Sequence, residues 1–401
     1  MTPTPTPLVE PRDGLPTIVA DQDRLATVVD AFAAGSGPVA IDAERASGYR
    51  YGQRAYLIQL RRVGAGTSLI DPIACGDLSK LGNAIADAEW VLHAASQDLP
   101  CLAEVGMRPS RLFDTELAGR LLNYPRVGLG PLVEEVLGFA LEKGHSAVDW
   151  STRPLPADWL RYAALDVELL TDLREVLVAQ LEEAGKLEWA EEEFAAVASA
   201  SPPEPRPDPW RRTSGLHRVR DRRQLAAVRA LWSARDELAQ ERDISPKRLL
   251  PDAAIVEAAL TRPKSARELA ALPVFRGRAQ RREMKRWFAA VASVREIPDA
   301  ELPELTRRYD GPPPARTWAS RDPAAADRLS AARAAMAEIA EQHSLPVENL
   351  LSPETLRRVA WDPPDPVTED AVATALTEWG ARPWQVRLTA LAVATAFAAS
   401  E

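Results

Sequence analysis

The spacing of apolar residues divides this chain into an α/β half and an all-helical half. Leu25, Val28, Val29 and Phe32 fall on one stripe of a helix predicted within residues 20–35. Ser36-Gly37-Pro38 then marks a strand start, Val39–Asp42, with Tyr56–Arg61 and Ser68–Asp71 as the next two strands. Gly48–Gly52 is the loop between the first two. Leu78–Ala88 reads as a helix and Glu89–His93 as a buried strand. Residues 96–105, Asp114–Leu122, Leu129–Leu137 and Pro156–Ala184 read as helices, the third closed by Gly138. Three strands followed by alternating helix and strand predict an α/β domain with a mixed sheet.

Ser201–Trp210 is rich in proline and reads as a stiff connection. Beyond it the periodicity is helical throughout, at 221–241, 252–260, 265–272 and 277–292. A second proline-rich linker follows at Asp310–Ala315, and then helices at 322–342, 353–359, 367–379 and 384–399. Ala239–Leu250 matches Ala340–Leu351 at an offset of about one hundred residues, each a helix end, a turn and a Leu-Leu anchor. Two copies of one small helical domain explain that pattern better than one large bundle. The expected organisation is an unstructured Pro/Thr tail over 1–14, an α/β domain over 15–200 and a linker over 201–212. A helical domain over 213–297, a linker over 298–320 and a second helical domain over 321–401 complete it.

Charge sharpens the division. The net charge is −9, but residues 1–210 carry about −14, 211–308 about +10 and 309–401 about −5. A basic block beside an acidic one points to a polyanionic partner for the middle of the chain. Cys75 and Cys101 have no CxxC spacing and read as buried apolar residues in a reducing compartment. No apolar run approaches the length of a membrane span and no secretory leader is evident, so a soluble cytoplasmic protein with no membrane partner is expected.

The candidate chemistry starts at Asp42-Ala43-Glu44. Side chains alternate on a strand, so the two carboxylates project from one side, roughly 6.6 Å apart. Their repulsion calls for a cation between them, either Arg45 or a hard metal. Asp98 lies in the first turn after the strand ending at His93, where a carboxylate also serves as a helix cap. Tyr162 and Asp166 are spaced i, i+4 and share a helical face.

The ordered set Asp42-x-Glu44, Asp98 and Tyr162-x3-Asp166 resembles the three motifs of the DEDDy 3′–5′ exonucleases, and more closely their bacterial ribonuclease D branch. Tyr56-Leu-Ile-Gln-Leu60, Phe113–Ala118 and Asp149–Leu155 support the likeness. The helical repeats resemble the helicase-and-ribonuclease-D C-terminal (HRDC) domain, clearly in the first copy and more loosely in the second. The resemblance implies a ribonuclease-H-like α/β exonuclease fold with a mixed sheet, followed by two all-α HRDC-like domains. It implies two divalent ions, Mg²⁺ or Mn²⁺, which suit oxygen-rich ligands. Asp42 would bridge the ions, Glu44 and Asp166 would complete the nucleophile side, and Asp98 would support the leaving-group side. Tyr162 would orient the attacking water. Arg45 departs from the family pattern, which usually has an aromatic or apolar residue there; Tyr49, Tyr51 or Tyr56 could supply a ring instead.

The resulting expectation is a 3′–5′ exoribonuclease that releases nucleoside 5′-monophosphates and matures structured RNA, tRNA precursors above all. A DNA exonuclease acting on single-stranded DNA and a catalytically silent RNA-binding scaffold are the rivals. Gln59 and Asp114 either buttress the site or contact substrate, or else satisfy local backbone groups. His93 is either a core histidine or a substrate contact, and Arg153 either touches phosphate or packs a turn. Arg278, Arg281, Arg282 and Lys285, with Arg218, Arg220, Arg222, Arg223, Lys247, Arg248, Arg276 and Arg286, form a candidate phosphate-tracking surface.

Overall fold

The structure is a computed structural model that describes residues 4–399 apart from 143, 146, 202, 203, 205 and 307–310. The centre of the proline-rich connection and the start of the second linker therefore lie outside the described residues. The strands described are Thr6–Leu8 (β1), Ser36–Arg45 (β2), Ala55–Val63 (β3), Gly66–Ile70 (β4), Glu89–Leu92 (β5), Arg111–Asp114 (β6) and Phe139–Leu141 (β7). The main sheet is mixed, in the order β4-β3-β2-β5-β6, with β2 antiparallel to β3 and parallel to β5. Strand β2 is central and buried over Val39, Ala40 and Ile41. The carboxylates that follow them thus sit on the most constrained strand of the sheet.

Several elements depart from the sequence expectation, among them β6 and the N-terminal strand with its partner β7. Strand β6 was not anticipated because only Leu112 and Phe113 stand between Arg111 and a capping aspartate, too few residues to show a period. The N-terminal tail, expected to be unstructured, is held from Thr6 onward. Strand β1 runs parallel to β7. Arg12 then pairs with Asp172 at 2.7 Å, and Asp13 with Arg61 at 2.8 Å. Composition gave no hint of this, since the ladder uses backbone groups and its partner strand lies 133 residues further on.

The helical units attach differently. The first has its own core around Trp287, Phe275 and Leu231. The second shares a core with the α/β domain. There Trp384 stacks on Trp189 with ring centroids 5.0 Å apart, and Arg387 pairs with Glu188 and Glu192. Lys186 donates to the carbonyls of Leu121 and Ser344, tying both parts together. The Leu249-Leu250 and Leu350-Leu351 anchors are all buried, as the internal repeat requires.

Because that second unit shares a core with the α/β domain, Trp384→Ala should cost about 3–5 kcal/mol and lower a common unfolding transition. Calorimetry checks this; a separate low-temperature transition with the α/β transition unmoved would contradict it.

Candidate active site

The geometry is built by β2 and by the helix Ala157–Glu168, which packs across β2, β3 and β4. The helix presents Ala163 and Ala164 to the sheet, fully buried, and these small side chains allow a close approach. Asp166 is thereby brought down beside Asp42 and Glu44. One carboxylate oxygen from each of the three lies within 4.8 Å of the others. Tyr162, one turn earlier, donates its hydroxyl to Asp166 and sets its ring edge-on to His145. The Tyr162 side chain is half-buried, and its hydroxyl bonds to no backbone carbonyl among the described residues.

The electrostatics follow from crowding. Burial pushes Glu44 up to about 10, with further push from Asp42, Asp166 and Asp98. Burial likewise raises Asp42 to about 6, against the pull of the Ala43 N–H and Arg45. Asp166 is raised well above the usual carboxylate range by burial and by Asp42. Burial and the carboxylate of Asp166 also raise the Tyr162 phenol, so it stays protonated. Three hard oxygen donors that share too little positive charge fit a divalent ion such as Mg²⁺ or Mn²⁺.

Asp98 stands apart from this trio. Its carboxylate pairs with the Arg45 guanidinium at 3.4 Å, and burial and the charge of Asp42 raise it to about 8. Asp114 fixes its loop. The Asp114 carboxylate accepts from Ala94 N at 3.0 Å and Ala95 N at 2.8 Å, and caps the next helix through Glu116 N at 2.9 Å. Ala94 is left-handed, with φ 57°, a turn that those two bonds hold in place.

The remaining candidates each carried two readings, and the structure gives their surroundings. Gln59 stands opposite Asp42 in the β2–β3 register, on the same face, and is fully buried. Its amide has no hydrogen-bond partner among the described residues. His93 Nδ1 lies 2.9 Å from Thr115 Oγ1 and burial lowers the ring to about 4, which makes it a neutral strut. Arg153 packs a turn. Its five N–H groups go to Asp71, at 2.7 and 3.0 Å, and to the carbonyls of Tyr56, Trp150 and Thr152. Of the three tyrosines, only Tyr49 borders the site; Tyr56 is buried and Tyr51 turns to the first helical unit. With Glu44, Arg45 and Gly48 it lines a cavity of about 280 Å³.

The basic surface also divides. Arg218, Arg222, Arg223 and Arg286 pair with Glu257, Glu304, Asp299 and Glu241. Arg276, Arg278, Arg281 and Arg282 instead surround one cavity of about 530 Å³ and make no ion pair among the described residues. Lys285 is not part of that wall. Sequence spacing alone could not separate these groups, because the acidic partners are distant in the chain.

With this geometry in view, comparisons with known proteins are decisive. Residues 16–182 match the model of a 3′–5′ exonuclease, 224–291 that of the HRDC domain and 311–397 that of a 3′ to 5′ exonuclease C-terminal domain. The chain is 33% identical over 337 residues to ribonuclease D of Gluconacetobacter diazotrophicus, covering 81% of each. The chain belongs to the ribonuclease D family. Ribonuclease D of Granulibacter bethesdensis is 35% identical, over 76% of this chain and 74% of the relative. Among solved structures, a protein from Bifidobacterium adolescentis superposes with a TM-score of 0.92 at 40% identity, over 98% of this chain and 100% of that one. Escherichia coli RNase D superposes with a TM-score of 0.65 at 27% identity, over 90% of this chain and 97% of that one. As a ribonuclease D family member, the protein is a 3′–5′ exoribonuclease with an N-terminal exonuclease domain and a helical HRDC region. The HRDC match covers the first helical unit, while the exonuclease C-terminal model covers the second.

The raised carboxylates set a pH dependence for the metal-free protein. Their folded values exceed those of the unfolded chain, so protonation stabilises the fold, fully below about pH 4. That contribution is lost as pH rises through about 6 for Asp42 and about 8 for Asp98. In chelator, the unfolding temperature should fall across that window, and Mg²⁺ or Mn²⁺ should restore it at the alkaline end. A flat profile that ignores the ions would contradict this.

Proposed function

We propose that this ribonuclease D family member hydrolyses RNA from the 3′ end with two divalent ions, releases nucleoside 5′-monophosphates and trims structured RNA such as tRNA precursors. The observation that carries this reading is the convergence of Asp42, Glu44 and Asp166 within 4.8 Å, with Tyr162 on the same helical face. Asp42, Glu44 and Asp166 would hold one ion, and Asp98, with Asp42, would complete the set for a second. When bound, such ions neutralise the phosphodiester and lower the pKa of water.

The chain's own residues do the rest. The Tyr162 hydroxyl donates to Asp166, which leaves its oxygen lone pairs to accept from a water and aim it at the scissile phosphorus. Arg45 brings a positive charge to the Asp98 side, where the leaving oxygen gains charge. The arginines at 276, 278, 281 and 282 would track phosphates upstream. The E. coli relative's description as an exoribonuclease involved in structured RNA processing supports the substrate class.

Tyr162→Phe keeps the ring and loses the hydroxyl, so turnover on 3′-labelled RNA should drop by about 10²–10⁴-fold with little change in unfolding temperature. Asp42→Asn should abolish turnover and remove the tighter ion from a calorimetric titration. Unchanged turnover in Tyr162→Phe, or an unchanged titration in Asp42→Asn, would refute the assignment. Chromatography of the products distinguishes 5′-monophosphates from the 3′-phosphates that would contradict it.

A further inference from the structure

The loop that borders the candidate active site beside Glu44 and Arg45 is gripped by the first helical unit. Strand β2 ends at Arg45 and the chain re-enters β3 at Ala55. Between them, Gly48 and Tyr49 border the cavity that opens beside Glu44 and Arg45. The exonuclease domain holds this loop lightly. Tyr49 Oη lies 3.5 Å from Ala147 O, and Arg50 Nε lies 2.8 Å from Ser151 Oγ.

The helical unit holds it more firmly. Arg248 Nε donates to Gly48 O at 2.8 Å, and the guanidinium lies 3.9 Å over the Tyr49 ring. Ser245 N donates to Tyr49 O at 2.9 Å. Asp243 Oδ1 accepts from Tyr51 N at 3.2 Å and Gly52 N at 3.4 Å, while Oδ2 accepts from Arg54 at 3.0 Å. The Tyr51 hydroxyl bonds Asp236 and Gln240.

These contacts come from one corner, where the helix Arg222–Arg242 ends at Asp243 in a left-handed turn, φ 48°, and Pro246–Leu249 begins. Among the described residues, the polar contacts between this unit and the exonuclease domain fall on Gly48–Arg54. A contact that served only to park one domain on another would have no reason to concentrate on the loop after the Asp-x-Glu strand. On the far side of Gly48, a second cavity of about 620 Å³ is lined by Lys247 and Arg248 and shares Ser47 and Gly48 with the first. The two cavities therefore meet at Ser47 and Gly48, with Lys247 and Arg248 beside the loop.

We infer that Asp243 and Arg248 are positioning residues for the exonuclease reaction: by fixing Gly48 and Tyr49 they shape the pocket for the 3′-terminal nucleotide. This rests on the reading of the site as an RNA exonuclease. The helical unit thus governs turnover even on RNA too short to reach its four clustered arginines.

The test uses full-length protein, Mn²⁺ and a pentanucleotide RNA. Asp243→Gly removes the carboxylate while suiting the left-handed turn. It should lower kcat/KM by about ten- to a hundredfold, mostly through KM. Asp243→Asn keeps an oxygen acceptor for the Tyr51 and Gly52 N–H groups and should recover most of the loss. Arg248→Ala should behave like Asp243→Gly and carries the same test should that variant fail to fold. Calorimetric Mn²⁺ binding should not change in any of them, since the ion ligands lie on other elements. Wild-type kcat/KM on the pentanucleotide in both Asp243→Gly and Arg248→Ala would overturn the inference, as would a loss confined to long RNA. If the wild-type protein leaves the pentanucleotide intact, the exonuclease reading fails and the inference falls with it.

Discussion

The mutual repulsion of buried carboxylates is the constraint on which the rest of this structure depends. Asp42, Glu44 and Asp166 converge under one helix, with Asp98 within their field. At such separations in a poorly solvated site, like charges repel by several kcal/mol, far more than in water. The fold sustains the arrangement by anchoring each carboxylate to a rigid element. Central strand β2 holds two, the alanine-faced helix holds one, and the loop fixed by Asp114 holds the last. Arg45 supplies part of the missing charge on the Asp98 side, and divalent ions are the economical source of the remainder.

The same logic explains what was legible in the sequence. A strand motif and an i, i+4 pair are local, so Asp42, Glu44, Tyr162 and Asp166 declare their shared faces through periodicity alone. The order of motifs pointed to the family. What stayed hidden were pairings across long separations. Arg153 meets Asp71 across 82 positions, and Arg45 meets Asp98 across 53. In neither case does the spacing name the carboxylate that the fold provides, and Arg45, a candidate to sit between Asp42 and Glu44, pairs with Asp98 instead. Strand β6 and the N-terminal strand were missed for a related reason, since each is short and is defined by its partner. Gln59 carried a strand signal but no indication that it would be buried with no hydrogen-bond partner among the described residues.

The helical units take different roles from a common plan. Both keep a buried Leu-Leu anchor after a long helix, although they match different family models. Trp384 and its charged neighbours bind the second unit to the helix Leu187–Ala198, where it extends the exonuclease core. The first unit keeps its own core and places its corner on the loop beside the active site. Net charge distinguished the two in sequence, but the basic surface proved narrower than a count of arginines suggests. Several pair with intramolecular carboxylates, while the cluster at 276–282 makes no ion pair among the described residues.

The central claim is that this carboxylate cluster exists to hold divalent ions. A crystal soaked in Mn²⁺ tests it most directly through anomalous scattering. The account predicts a strong peak coordinated by Asp42, Glu44 and Asp166, lost in Asp42→Asn crystals. Well-ordered carboxylates with no peak between them, at Mn²⁺ concentrations that support turnover, would contradict it.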